Sequence, residues 1–413
     1  MTTLTLSDIR AFDASDPLAQ VRERFDLPAD TFYFAGNSLG ALPKTIPQRL
    51  QKLALREWGQ GLVRSWTRHD WFELPQTVGD KLARLIGARA GEVIVCDSTS
   101  VNLYKLAMAA LRLRPKRNKI ITTSDNFPTG LYILQGLTAT LNRDIELKIL
   151  DPNEFLNAVD GNTALVTLTQ VDYRTGYLHD MEEVTRRAHQ NGALTLWDLS
   201  HSCGAMPLDL DACEVDMATG CGYKYLNAGP GAPAFVYVRK DLQAQLEQPL
   251  TGWMGHAEPF AMSEQYEPAP DLRRLLCGTH LVPGLVCLDE ALDIFADIDM
   301  EEVAQKSAKL GESFIRLMEQ RCNQHGFILA SPVASGQRGS QVCFRHEHAY
   351  PIAQALIERK VICDFRAPDI VRFGLTPLYL RHADIWAAVD ALASVMEKQE
   401  WKQGRFNELA AVT

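Results

Sequence analysis

Residues 193–226 read ALTLWDLSHSCGAMPLDLDACEVDMATGCGYKYL, and two charged residues in this stretch decide the fold. Residues 193–197 form a short apolar run, as in a strand covered on both faces, and Asp198 closes it at the carboxyl end. A second run, 216–219, leads directly into Gly220-Cys221-Gly222-Tyr223-Lys224, with Gly229 and Gly231 beyond. Alone, a strand-end aspartate is most simply an ion-pair partner or a helix cap, and a lysine is most simply a solvated surface charge. A lysine between an apolar strand and a Gly-rich turn, however, is badly placed for solvation and well placed for a cleft. There its pKa can fall and its amine can form a Schiff base. The two residues at the ends of successive strands are therefore more informative than either one. In open α/β sheets, sites gather at the carboxyl ends of the strands.

Working outward, further β-rich runs at 92–96, 119–123, 145–150, 164–169 and 234–238 alternate with amphipathic stretches. This rhythm predicts an α/β domain with a mostly parallel sheet sandwiched by helices. After about Gly284 the texture changes. A long amphipathic stretch carries Val303, Leu310, Phe314 and Leu317, strand-like pieces follow at 341–345 and 370–373, and a final helix carries Ile385, Val389, Leu392 and Met396. The expected division is a large domain over 61–284 and a smaller C-terminal α/β domain over 285–413, with the N-terminal segment 1–60 packing on the latter. Residues 410–413 are expected to fray.

Composition sets the class. The 413 residues are 46% hydrophobic and 23% charged, ordinary for a soluble globular protein. A net charge of −9 argues against a nucleic-acid or anionic-membrane partner. No apolar run is long enough to span a bilayer, and residues 1–10 read as neither a signal nor a transit peptide. Nine cysteines are scattered without a C-x-x-C pair, which reads as reduced, mostly buried thiols in the cytoplasm. The nearest histidine pair, His346 and His348, is expected in an exposed polar loop and supports no metal site.

The pair Asp198 and Lys224 is what pyridoxal-phosphate chemistry demands. The carboxylate keeps the pyridine nitrogen protonated, so that the ring can act as an electron sink, and the lysine carries the aldehyde. A phosphate cradle is offered by Asp97-Ser98-Thr99-Ser100, which follows the run 92–96 and precedes a helical stretch. By itself Ser100 is simply a good N-cap; beside Asp198 and Lys224, phosphate binding is the better reading. The dinucleotide fingerprint is not satisfied, since Gly220-x-Gly222 lacks the third glycine.

Several segments resemble those of kynureninases: residues 34–40 (FAGNSLG), 167–176, 197–202 (WDLSHS), 222–229, 252–256 (GWMGH), 277–279 (CGT) and 372–379 (RFGLTPLY). The similarity runs nearly end to end. It implies a fold-type-I pyridoxal-phosphate enzyme of the aspartate aminotransferase superfamily, a homodimer with shared sites, that hydrolyses L-kynurenine to anthranilate and L-alanine in tryptophan degradation. It also implies roles for matching positions. Lys224 binds the cofactor's aldehyde, Asp198 the pyridine nitrogen, and His201 lies beside it. Phe127 stacks on the ring, with Pro128, Thr129 and Gly130 following it along the cofactor. Thr99, Ser100, Thr169, Tyr223, Trp253 and Thr279 hold the phosphate and the cofactor edge, Trp253 and Thr279 from the partner subunit. Arg372 takes the substrate's α-carboxylate, and Trp66 is a candidate to stack on the substrate's aromatic ring, with core packing beside Trp71 as its alternative; Tyr223, adjacent to Lys224, is a candidate proton relay, with phosphate binding alone as its alternative. One position departs from the family pattern: known members carry an aspartate three residues after the stacking Phe, and here Gly130 stands there.

The nearest rival reading is another fold-type-I enzyme, a cysteine desulfurase or class V aminotransferase. A desulfurase needs a nucleophilic cysteine on a mobile loop, whereas Cys343 and Cys363 sit in strand-like surroundings. A non-catalytic protein that kept the fold would have no reason to keep Asp198, Lys224 and Arg372 together. Kynurenine and 3-hydroxykynurenine are not separable by sequence; that preference is expected to be set at Thr279 and Trp66.

Overall fold

The computed structural model describes residues 3–141 and 143–408. Its centre is a seven-stranded sheet whose strands, in chain order, are β1 (Val93–Val95), β2 (Lys119–Thr123), β3 (Glu146–Leu150), β4 (Thr163–Thr169), β5 (Leu194–Asp198), β6 (Met217–Cys221) and β7 (Ala234–Val238). The spatial order is β1-β7-β6-β5-β4-β2-β3. Strands β3, β2, β4, β5 and β6 pair in parallel, and β7 runs against both β6 and β1. All seven runs read from the sequence are strands, two with the same bounds and five shifted by one or two residues at one or both ends.

The near-continuous apolar runs have a direct structural cause. Successive side chains of a strand point to opposite faces, and both faces are covered here. Ile94, Ile120, Leu165, Leu196, Met217 and Val236 pack with Leu106 and Leu137 of the helices Thr99–Leu113 and Pro128–Thr140. Their neighbours Val95, Ile121, Val166, Trp197, Ala218 and Phe235 pack on the opposite side with Val184 of the helix Met181–Gln190 and Leu285 of the helix Val282–Leu292. With apolar side chains required on both sides, no polar alternation survives in these strands.

A second, antiparallel sheet follows: β8 (Ile328–Leu329), β9 (Gln341–Arg345), β10 (Asp364–Arg366) and β11 (Ile370–Gly374), in the order β8-β9-β11-β10. The helices Met300–Arg321 and His382–Glu397 pack on each other beside it. The N-terminal helix Leu6–Ala14 packs on His382–Glu397 as well, and Phe32–Tyr33 pairs in parallel with Val361–Ile362. The chain then crosses back, since the helix Ile46–Lys52 packs on Val282–Leu292. Residues 410–413 lie outside the described residues.

The histidine pair is a correction. His346 is buried, not exposed: its Nε2 meets the His325 carbonyl at 3.0 Å and its Nδ1 accepts from the His348 amide at 2.9 Å. His348 stacks on Trp401 with ring centroids 4.3 Å apart. The pair is thus absorbed in packing, and no cluster of potential metal ligands occurs among the described residues.

Candidate active site

Five strand ends converge on one cleft. Beyond β1 lie Thr99 and Ser100, beyond β2 Phe127, Thr129 and Gly130, at the end of β4 Thr169, at the end of β5 Asp198, Ser200 and His201, and beyond β6 Tyr223 and Lys224. Counting its open mouth, the cleft encloses about 630 Å³, and Leu103 and Tyr173 complete its lining. Of these, all but Ser200, Leu103 and Tyr173 were singled out in sequence, so ten expected residues come together.

Lys224 is partly buried in the cleft wall, and no carboxylate among the described residues forms an ion pair with it. Burial lowers its pKa; Cys221 and Asp198 oppose the shift, and Arg372 and Arg366 reinforce it. Its Nζ stands 5.8 Å from the ring centroids of both Phe127 and Tyr223. The backbone around it is pinned: the Gly40 amide donates to the Tyr223 carbonyl at 2.8 Å, and a Cβ on Gly40 would lie 2.3 Å from the Lys224 carbonyl oxygen. That close approach admits only glycine, which accounts for the last residue of FAGNSLG.

Asp198 is buried, and its Oδ1 accepts from the Ser200 amide at 2.8 Å; Oδ2 meets no donor among the described residues. His201 is buried beside it with Nδ1 unpartnered, and desolvation, then the Lys224 and Arg372 charges, hold its pKa well below the ordinary value, so the imidazole is neutral. Burial raises the Tyr223 hydroxyl, which stays protonated. Thr99 and Ser100 are the first residues of a fifteen-residue helix capped by Ser98, whose Oγ accepts from the Val101 amide. The first amides of a helix have no intrahelical partner, so this end offers N–H groups and two hydroxyls to an anion.

Asn126 was not singled out in sequence, yet it organises this wall. Its Oδ1 accepts from the Phe127 amide at 2.9 Å and from the Thr169 hydroxyl, and its Nδ2 donates to Thr122 Oγ1 at 3.0 Å. Tyr173 was missed as well; its ring meets Phe127 edge-on at 5.1 Å. Neither was legible locally, because the contacts that place them on this wall, Asn126 with Thr169 and Tyr173 with Phe127, join segments more than 40 positions apart.

Other expectations fall elsewhere. Pro128 begins the helix Pro128–Thr140 and does not line the cleft. Trp66 packs on Trp71 and His280, at 5.8 and 5.3 Å, away from it. Trp253 and Thr279 are exposed outside the cleft of their own chain. Arg372 is buried on β11, not poised with an open fork. Its Nε and Nη2 donate to Asp364 at 2.7 and 2.6 Å, Nη2 also to Ser38 Oγ at 2.7 Å, and Nη1 to the Tyr173 carbonyl at 2.6 Å. At Gly130 a Cβ would meet nothing closer than Asn126, at 3.5 Å; the site has room for a side chain there and does without one.

These residues fit pyridoxal phosphate. A desolvated lysine without a counter-ion, a carboxylate with a free oxygen, an aromatic ring and a helix N-terminus with hydroxyls lie around one cleft of suitable size. They match its aldehyde, its ring nitrogen, its ring face and its phosphate in turn.

Comparison with known proteins agrees. Residues 303–392 match the family model of the kynureninase C-terminal domain. The chain is 49% identical to kynureninase of Burkholderia pseudomallei (strain 1106a), over 99% of this chain and all of that one. It is 46% identical to kynureninase of Pseudomonas fluorescens over the same shares. Among solved structures, the cystine C–S lyase C-DES with glycine linked to its pyridoxal-phosphate cofactor superposes with a TM-score of 0.78 at 18% identity, over 90% of this chain and 98% of that one. Apo cysteine desulfurase of Thermococcus onnurineus superposes with a TM-score of 0.77 at 18% identity, over 96% and 100%. At that identity the likeness is one of fold, and it establishes the fold-type-I α/β architecture. Identity at nearly half of all positions over the full length is of another order, and by it the chain belongs to the kynureninase family.

Proposed function

We propose that the protein hydrolyses L-kynurenine to anthranilate and L-alanine with pyridoxal phosphate as cofactor. The observation that carries this reading is the meeting of Lys224, Asp198 and Thr99–Ser100 in one cleft of a chain with kynureninase relatives along its whole length. Lys224, Asp198, Phe127, Thr169, His201, Thr99 and Ser100 would hold the cofactor. When bound, it withdraws electron density from the substrate's α-carbon and makes the bond between the β- and γ-carbons breakable.

The protein's own groups have separable tasks. Burial shifts the Lys224 amine toward its neutral form, the form that acts as nucleophile and base, since the charged form is penalised. The Asp198 carboxylate lines the cleft with Oδ2 free, and neutral His201 beside it adds no opposing charge. The Tyr223 hydroxyl, protonated and adjacent to Lys224, can deliver a proton to an oxygen or carbon of the substrate and take it back. Phe127, with Tyr173 edge-on against it, would cover the cofactor's ring face and limit the approach of water.

The partner and compartment are part of the proposal. Trp253 and Thr279 stand outside their own cleft, and large apolar side chains are exposed nearby in sequence: Phe260, Met262 and Leu281, together with Leu55, Trp58, Leu62 and Val63. Exposed apolar patches of this kind mark interaction sites, and a homodimer that brings Trp253 and Thr279 to the neighbouring cleft accounts for them. No helix among the described residues is long and apolar enough to cross a membrane, and all nine cysteines are free; we place the enzyme in the cytoplasm.

The test is a substrate panel on the holoenzyme. Anthranilate fluorescence with equimolar alanine from L-kynurenine supports the reading, with 3-hydroxykynurenine assayed in parallel. Sulfide with alanine from L-cysteine, and no anthranilate, would overturn it. Cys343 and Cys363 are both buried, and burial pushes the Cys343 thiol up to about 12, so neither offers the exposed thiolate that a desulfurase uses.

A further inference from the structure

The Arg372 pair found above belongs to a larger charged cluster. Residues 364 and 366 point to the same face of β10, and Asp364 is in register with Arg372 on β11. Asp364 is 2% exposed. Besides the two bonds from Arg372, its Oδ2 accepts from Arg366 Nη2 at 3.1 Å and from Ser38 Oγ at 2.6 Å. Ser38 Oγ in turn accepts from Arg366 Nη2 at 2.9 Å and from Arg372 Nη2 at 2.7 Å.

Two guanidinium groups thus share one carboxylate. No other carboxylate among the described residues forms an ion pair with either. The cluster carries one more positive charge than it has carboxylates, and the surplus falls on Arg366, whose side chain is one-third exposed and so only partly solvated. An anion from outside the chain would balance it.

The geometry also says which arginine remains open. The Nε–Nη2 edge of Arg372 is taken by Asp364, and its Nη1 is engaged by the carbonyl of Tyr173, a residue of the cleft wall. The Arg366 side chain is 32% exposed, and its Nη1 has only the carbonyl of its neighbour Phe365, at a long 3.4 Å. Both guanidinium charges reach the cleft electrostatically, since both depress proton binding at Lys224 and at His201.

We propose that Arg366 is a second guanidinium that receives the substrate's α-carboxylate together with Arg372, and that Asp364 and Ser38 are the positioning residues that hold the two in register. The inference rests on reading the cleft as an amino-acid substrate site. Arg372, clamped by Asp364, keeps one Nη1 hydrogen beside its bond to Tyr173 and supplies that single fixed donor; Arg366 supplies the movable one and completes charge balance when the carboxylate arrives.

The experiment compares wild-type, Arg366→Gln and Arg366→Lys holoenzymes with L-kynurenine and with kynuramine, which is the same molecule without the α-carboxylate. For Arg366→Gln, the KM for kynurenine should rise about tenfold to a hundredfold, the loss of one charge-assisted hydrogen bond. Affinity for kynuramine should stay within about twofold of wild type, because one neutralised surface-ward charge is a small change for a ligand without an anion. Arg366→Lys should fall between, keeping the charge without the fork, and it serves the same comparison if the Gln variant does not fold. Equal losses for both ligands would mean a structural role, and no loss for either would mean no role; each result overturns the proposal. Spectral titration with L-alanine against ethylamine repeats the contrast without turnover. If the wild type fails to cleave kynurenine yet Arg366→Gln still shows the alanine-specific loss, the result counts against the named reaction and not against Arg366.

Discussion

At the scale of single residues, the chemistry rests on burying a lysine without a counter-ion. Such a group is a local cost to the fold, accepted at a site that needs a neutral amine. Replacing Lys224 by alanine should therefore leave the cofactor-free protein as stable as before or more stable by about 1 kcal/mol, read by urea denaturation. The same variant should lose borohydride-dependent fixation of pyridoxal phosphate, read as intact protein mass. Fixation surviving in Lys224→Ala would show that another amine carries the cofactor. Asp198 and Lys224 were legible because each follows an apolar strand directly. Arg372 was legible as an arginine inside an apolar strand, but its clamp was not. Asp364, Ser38 and Tyr173 lie 8, 334 and 199 positions from it along the chain, and no local pattern links them.

Among the elements, the helix His382–Glu397 shows how a buried terminus is managed. Asp13 caps it from another helix, accepting from the His382 and Ala383 amides at 2.7 and 3.0 Å. His382 is buried against Phe12, with ring centroids 5.3 Å apart. Desolvation lowers its pKa to about 4, helped by Lys309 and Lys306 and opposed by Asp16, which itself pairs with Lys306 at 2.7 Å. The ordinary value is 6.5, so between pH 6.5 and about 4 the unfolded chain binds the proton and the folded chain does not. Stability is then lost as the pH falls through this window, by up to about 1.4 kcal/mol per pH unit. Unfolding measured from pH 7 to 4 should show this slope, and His382→Gln should flatten it. An unchanged slope in the variant would assign the acid sensitivity to other groups. The helix itself was readable from Ile385, Val389, Leu392 and Met396, which are all buried; its cap, 369 positions away in sequence, was not.

For the whole molecule, the prediction concerns a second copy. Leu55, Trp58, Leu62 and Val63 are exposed by 59% or more in the single chain. If they lie in the dimer contact, Leu55→Glu with Trp58→Glu should raise the dissociation constant about thirtyfold or more, as loss of a buried aromatic anchor does. Light scattering would read the mass, and activity should fall with dilution if Trp253 and Thr279 serve the neighbouring cleft. A monomeric wild type with full activity would remove both the dimer and that role for the two residues.

The sequence by itself determined the α/β class, the positions of the seven strands of the large sheet and the strand-end pair Asp198 and Lys224. Each of these depends on residues adjacent in the chain: a strand buried on two faces must be continuously apolar, and a charged residue interrupting that run marks its end. Only the tertiary structure decided that His346 is buried, that Asn126 joins Phe127 to Thr169, and that Arg372 shares Asp364 with Arg366. Those facts depend on which distant segments meet. Burial and hydrogen bonding belong to the space a residue occupies, and a cross-strand pair or a remote cap leaves no periodicity along the chain from which it could be read.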